Sequence, residues 1–184
     1  MALKSFAHNH HKIIENGVVA AVKDSRAFRS FSEFTLAAGA TRKVYINIPA
    51  GVYVGLLRSS ISAWGSPCKL STYKNPTLNA LGDPMATFPH NLVHPSLSLL
   101  ELSDDADVTN LPADKINAEF AFAASSQGNT VGVGDESGSS TRTLATESTY
   151  SLEIENIGGD PAVVVLKYTW IEDYDEPSMQ VFVT

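Results

Sequence analysis

Residues 150–173, YSLEIENIGGDPAVVVLKYTWIED, constrain the fold more than any other part of the chain. Leu152, Ile154 and then Asn156 alternate with Ser151, Glu153 and Glu155, the period of a strand with one wet face. The run breaks at residues 157–161, IGGDP, where Gly, Asp and Pro make turns. Residues 162–171 follow, rich in Val, Tyr, Thr and Trp, and read as a second, more deeply buried strand. Together they predict a C-terminal β-hairpin of a sandwich or barrel, in place of a catalytic helix or a cofactor loop.

The chain has 184 residues, enough for one domain with its own core. Apolar residues make up 43% and charged residues 18%, a globular balance that argues against disorder. The net charge of −7 repels phosphate backbones, and Lys and Arg are scattered, so nucleic-acid binding is disfavoured. The single cysteine excludes an internal disulfide framework, so stability must come from packing or assembly. The N-terminal residues lack an unbroken apolar signal core, and no stretch approaches the length of a membrane-spanning helix. These features predict synthesis in a cytoplasm and no membrane partner.

Strand-like segments recur along the chain. Residues 1–16 read as a polar, histidine-rich arm, and residues 17–22 as a first strand. Residues 31–36, 42–48, 52–62 and 68–74 are further strands, separated by turns rich in Gly, Pro and Asp. Residues 75–95 carry Pro76, Pro84, Pro89 and Pro95, which exclude a central strand and predict a long irregular insertion. Residues 96–102 suit a short strand or a helical turn, residues 103–107 an acidic turn, and residues 116–123 another strand. The low-complexity residues 125–143 predict a mobile or protruding loop between strands, and residues 179–184, MQVFVT, a last strand. Helical periodicity is nowhere sustained over ten residues. The expected fold is all-β: an antiparallel, jelly-roll-like β-sandwich over residues 17–176, with an N-terminal arm at 1–16 and a C-terminal tail or edge strand at 177–184.

No motif predicts catalysis, a cofactor or a resident metal. His8, His10 and His11 lack a Cys pair or acidic partner at ligand spacing, and His90 and His94 are flanked by Pro89 and Pro95, which deny them a shared helix face. Asp104, Asp105 and Asp107 with Glu101 lack the Gly and distal Glu of a calcium loop, so a solvated turn is expected. Glu172, Asp173, Asp175 and Glu176 read as charges on an edge or tail rather than a glycosidase pair. Gly132, Gly134 and Gly138 miss the dinucleotide spacing, because Ser137 stands where the third glycine belongs. Cys68 reads as a buried structural thiol. Tyr45, Tyr53, Trp64, Tyr73, Tyr168 and Trp170 lie in or beside strands, where aromatics fill cores more often than they stack on sugars.

The order of segments resembles small structural proteins of tailed bacteriophages. The resemblance rests on FTLAAGATRKVYINIPAG at residues 34–51, VYVGLLRSSISAWG at 52–65, a Gly- and Ser-rich loop, and the closing pattern Tyr150, Leu152, Ile154, Asn156, Tyr168, Trp170, Glu172. It implies a capsid decoration (cement) or other head-associated protein, a β-sandwich on the outside of the shell. The expected partners are the major capsid protein and further copies of the chain, as trimers or dimers, and the expected location is the virion surface. Contacts are expected from the arm, through Leu3, Phe6, Ile13 and Ile14, and from the tail, through Met179, Val181, Phe182 and Val183. The alternative is a receptor- or carbohydrate-binding module of a phage tail or fibre. Capsid binding without glycan binding separates the first reading from the second.

Overall fold

The computed structural model describes residues 19–121, 129–133 and 142–173. Four strands open the fold: β1 (Ala27–Leu36), β2 (Thr41–Ile48), β3 (Tyr53–Trp64) and β4 (Cys68–Lys74). Short strands follow: β5 (Thr77–Ala80), β6 (Asp83–Pro84), β7 (Thr87–Pro89), β8 (Glu101–Asp104) and β9 (Asp107–Thr109). A single 3-10 turn at Pro112–Asp114 leads into β10 (Lys115–Ala121). The remaining strands are β11 (Asn129–Val133), β12 (Arg142–Leu144), β13 (Ser148–Asn156) and β14 (Ala162–Asp173).

The strands form two large antiparallel sheets. The first runs β11–β3–β14–β1–β7, with β12 also on β3; the second runs β10–β4–β13–β2–β8–β6; β5 and β9 pair by themselves. β11 and β12 share one edge of β3: Val133 stands opposite Ser59 and Arg142 opposite Leu56, so they are two pieces of one edge position. With that position counted once, the long strands alternate between sheets from β1 to β4 and again from β10 to β14, while β4 and β10 pair within the second sheet. The first and last are neighbours, as are the second and second-last, which is the winding of a jelly roll.

Period-two burial explains why these sequences form these strands. Along β14, Ala162, Val164, Leu166, Tyr168 and Trp170 are buried while Val163 and Lys167 are exposed. The inward residues meet Val44, Ile46 and Ile154 of the other sheet in one core. Phe28 of β1 stacks on Trp170 with ring centroids 6.0 Å apart. Fully burying such side chains contributes about 1.5–3 kcal/mol each, which is what holds two disulfide-free sheets together.

Several expectations need correction. Residues 150–173 do not form a hairpin: β13 pairs with β2 and β4, whereas β14 pairs with β1 and β3, so residues 157–161 carry the chain from one sheet to the other. Both strands are apolar along one face, and opposing those faces across the core hides both; a hairpin would leave them side by side in one layer. Residues 19–23 are helical rather than extended. One helical turn lets Ala21 pack on Ala27 and Ile171, and its end is closed by the Asp24 and Arg26 N–H groups donating to the carbonyls of Ala20 and Ala21. Within residues 125–143, expected to be a loop, β11 and the start of β12 pair with β3. Residues 75–95 hold three short strands, with Pro84 in β6 and Pro89 in β7, both outermost in their sheets, where a missing N–H costs no ladder bond. Of the acidic turn, Ser103 and Asp104 belong to β8 and Asp107 to β9, leaving Asp105 to turn the chain at a φ of 56°.

Candidate interaction surface

Residues 90–100 connect β7 to β8 outside any ladder, and this strap is unusual in what it exposes. Leu92, Val93 and Leu97 are 76%, 79% and 89% exposed, and Leu99 is 48% exposed. A free loop of this composition would gain by folding its aliphatic side chains inward. Here the backbone is tied down from end to end. The Asn91 amide donates to the Lys23 carbonyl at 3.1 Å and accepts from the backbone N–H groups of Val93 and His94, both at 3.0 Å. The hydroxyl of Ser25 donates to the His94 carbonyl, and that of Ser96 donates to the Ser25 carbonyl. Ser25 accepts this role at a φ of 59°, in the left-handed region.

The far end of the strap is clamped by Glu172 of β14, which is fully buried. Its carboxylate accepts from the Leu99 N–H at 3.0 Å, the Leu100 N–H at 3.2 Å, the Trp170 indole N–H at 3.0 Å and the Ser98 hydroxyl. Four donors compensate a charge that burial alone would make prohibitive. Leu100 is then buried beside it while the preceding Leu99 stays half exposed. Each such bond contributes roughly 1 kcal/mol net, more where the carboxylate takes part. Polar groups therefore hold a backbone whose apolar side chains face water. That arrangement can bind another apolar surface.

The sequence-predicted sites are dispersed. His8, His10 and His11, the contact residues Leu3, Phe6, Ile13, Ile14, Met179, Val181, Phe182 and Val183, and the acids Asp175 and Glu176 lie outside the described residues. His90 stands just after β7 with its residue surface exposed, and partial desolvation of the ring together with the nearby Arg29 charge lowers its pKa; His94 lies in the strap. No group of three or more His, Cys, Asp or Glu is placed to hold a metal among the described residues. Asp104 instead accepts from Arg42 at 2.8 Å and from Ser32 at 2.5 Å, and Asp107 from Asn79 at 3.3 Å. Cys68 is buried, which pushes its thiol up to about 11 and keeps it protonated. Tyr45, Tyr73, Tyr168 and Trp170 are buried, while Trp64 is partly exposed.

Glu172 and Asp173 correct the reading of the C-terminal acids as wet edge charges. Both are buried, and Asp173 lies 3.1 Å from the Arg26 guanidinium. A signal was present in the sequence: the inward parity of Leu166, Tyr168 and Trp170 continues onto Glu172. The strap itself was legible only as composition, because nothing local says that NLVHPSLSLL is held rather than collapsed.

No protein-family model matches the chain, and no curated protein matches it. Among solved structures, VP2 of infectious bursal disease virus, in a subviral particle, aligns at 12% identity over 84% of this chain and 43% of VP2, with a TM-score of 0.20. The unassembled VP1 pentamer of KI polyomavirus aligns at 9% identity over 78% of this chain and 74% of VP1, with a TM-score of 0.14. The chain thus spans less than half the length of VP2. Similarity this low carries no weight for common fold or shared function; the architecture rests on the strand pairing itself.

Proposed function

We propose that this chain is a non-enzymatic virion structural protein that decorates and stabilises a phage capsid by binding the major capsid protein across subunit junctions. The observation that carries the reading is the strap, where Leu92, Val93, Leu97 and Leu99 are presented outward on a backbone pinned by Asn91, Ser25, Ser96 and Glu172. Surface of this kind is stabilised when a partner covers it. The resemblance to head-associated phage proteins names the partner, and the exposed shell offers two- and three-fold local axes for dimers or trimers of the chain. The arm residues Leu3, Phe6, Ile13 and Ile14 and the tail residues Met179, Val181, Phe182 and Val183 are proposed as further contacts.

The test is sedimentation of the purified chain with capsids that lack it. Wild type should co-sediment, and a Leu92→Asp, Leu97→Asp double variant with an unchanged melting curve should not. Full occupancy by that variant, or no capsid binding by wild type, would overturn the proposal. The alternative, a receptor- or carbohydrate-binding module, draws on one feature away from the strap, the groove described next.

A further inference from the structure

The outward side of the first sheet is a mixed surface with a definite chemical pattern. Strand register sets Arg29 of β1 opposite Thr169 of β14 and opposite Phe88 of β7. Two residues along, Phe31 stands opposite Lys167, which in turn stands opposite Ser60 of β3. These residues and His90 line a groove of about 710 Å³. That volume lies within the range of small-molecule sites, roughly 300–1,000 Å³. Ser60 and Ser62 are recessed, at 5% and 8% exposure, so small hydroxyl residues floor the groove between longer side chains.

We propose that this groove binds a carboxylate-bearing saccharide. Phe31 and Phe88 stack on each other with centroids 5.7 Å apart and planes 14° from parallel, yet remain 57% and 38% exposed. A stacked aromatic pair left in water is a platform for the apolar face of a sugar ring. Arg29 and Lys167 flank it, and neither forms an ion pair with another described residue, although the chain carries a net charge of −7. Two cations left unmatched in an acidic protein favour an anionic ligand. The nearest acid by register, Glu33, stands one row further, opposite Val165. Ser60 and Thr169 add hydroxyls suited to a polyhydroxylated ligand. The groove lies on the face of the sheet, where a peptide could not add main-chain bonds as it does along a strand edge, whereas a saccharide uses the aromatic platform and hydroxyls that are offered. The site lies away from the strap: saccharide binding alongside capsid binding would give the chain two working surfaces, whereas saccharide binding without capsid binding would favour the receptor- or carbohydrate-binding module over the capsid reading.

The full chain should be applied to a glycan array displaying sialylated, uronate-bearing and neutral saccharides, and then titrated calorimetrically with the acidic hits, their methyl esters and tetraglutamate. Acidic saccharides should bind, and esterification should weaken them about tenfold, the effect of losing a charge-assisted hydrogen bond. Arg29→Gln and Lys167→Gln should each weaken binding by about the same factor, and Phe31→Ala should abolish it, all three with melting curves like wild type. Leu92→Asp, Leu97→Asp should bind saccharide normally, separating this site from the strap. Failure to bind any acidic saccharide, equal binding of the esters, indifference to the groove variants, or tighter binding of tetraglutamate would each overturn the proposal.

Discussion

Asp104 shows how one residue can change meaning between sequence and fold. Within Ser-Asp-Asp-Ala-Asp it reads as a solvated turn, but its side chain lies between the sheets, held by Arg42 and Ser32, with Arg42 in turn 4.7 Å over the Phe34 ring. Burial pushes the Asp104 carboxyl up, but the hydrogen bonds from Arg42 and Ser32, the Arg42 charge and the Asp105 N–H outweigh it and hold the pKa below its ordinary value. A depressed folded pKa means that the stabilisation is complete above the unfolded carboxylate value, about 3.9, and drains as pH falls through the folded value. Asp104→Asn should therefore cost about 1–3 kcal/mol at neutral pH. In urea titrations across pH, its deficit relative to wild type should shrink in the acid range below about pH 4. A deficit that is constant with pH would mean that packing, not charge, is what Asp104 supplies.

At the scale of elements, the turn at residues 157–161 decides which sheet the last strand enters. Asn156 is fully buried at the end of β13, and its amide donates to the carbonyls of Leu36 at 3.2 Å, Ala37 at 3.1 Å and Asp160 at 2.8 Å. Its side-chain oxygen accepts from the Gly158 N–H at 3.1 Å. The corner is thereby tied to the end of β1 in the opposite sheet. Gly158 fits because a Cβ there would meet the Ser66 hydroxyl at 2.0 Å and the Pro67 ring at 2.7 Å. Asn156→Ala removes the buried bond to the Leu36 carbonyl and the part-buried bonds to the Ala37 and Asp160 carbonyls, and a buried group left without its partner costs about 1–3 kcal/mol. The expected loss in a urea melt is therefore roughly 2–4 kcal/mol, well above that of a surface substitution. A loss under 0.5 kcal/mol would show that the corner holds its path without the amide. The strap is clamped by the same device, a buried polar side chain binding backbone from a distant segment.

At the scale of the molecule, the described strands form a β-sandwich of jelly-roll-like winding whose sheets pack well but not completely. A void of about 70 Å³ remains between them, lined by Val54 and Leu56 of the first sheet, Leu70 and Leu152 of the second, and Leu144 at the edge. At roughly 24 cal/mol per Å³, an empty apolar space of that size costs on the order of 1–2 kcal/mol. Val54→Ile adds one methylene toward it and should raise stability by about 0.5–1 kcal/mol in thermal and chemical unfolding. A destabilised variant would show that β3 packs against its neighbours too tightly to admit the methylene.

How much of this was legible follows from the range of the forces involved. Alternation of apolar and polar residues is a local property, so the sequence alone determined that strands run through residues 42–48, 68–74, 150–156 and 162–171, that the fold is all-β, and that Cys68 is buried. Which strands pair is not local. The hairpin expected at residues 150–173 became a crossing between sheets because two one-sided apolar strands are hidden better face to face than side by side. The same holds for the surface features. Phe31 meets Phe88, and Arg29 meets Thr169, only because β1 lies between β7 and β14, residues far apart along the chain. Glu172 holds the strap across more than seventy positions. Side-chain periodicity encodes which face of a strand is buried; only tertiary packing decides what that face, or its reverse, comes to lie beside.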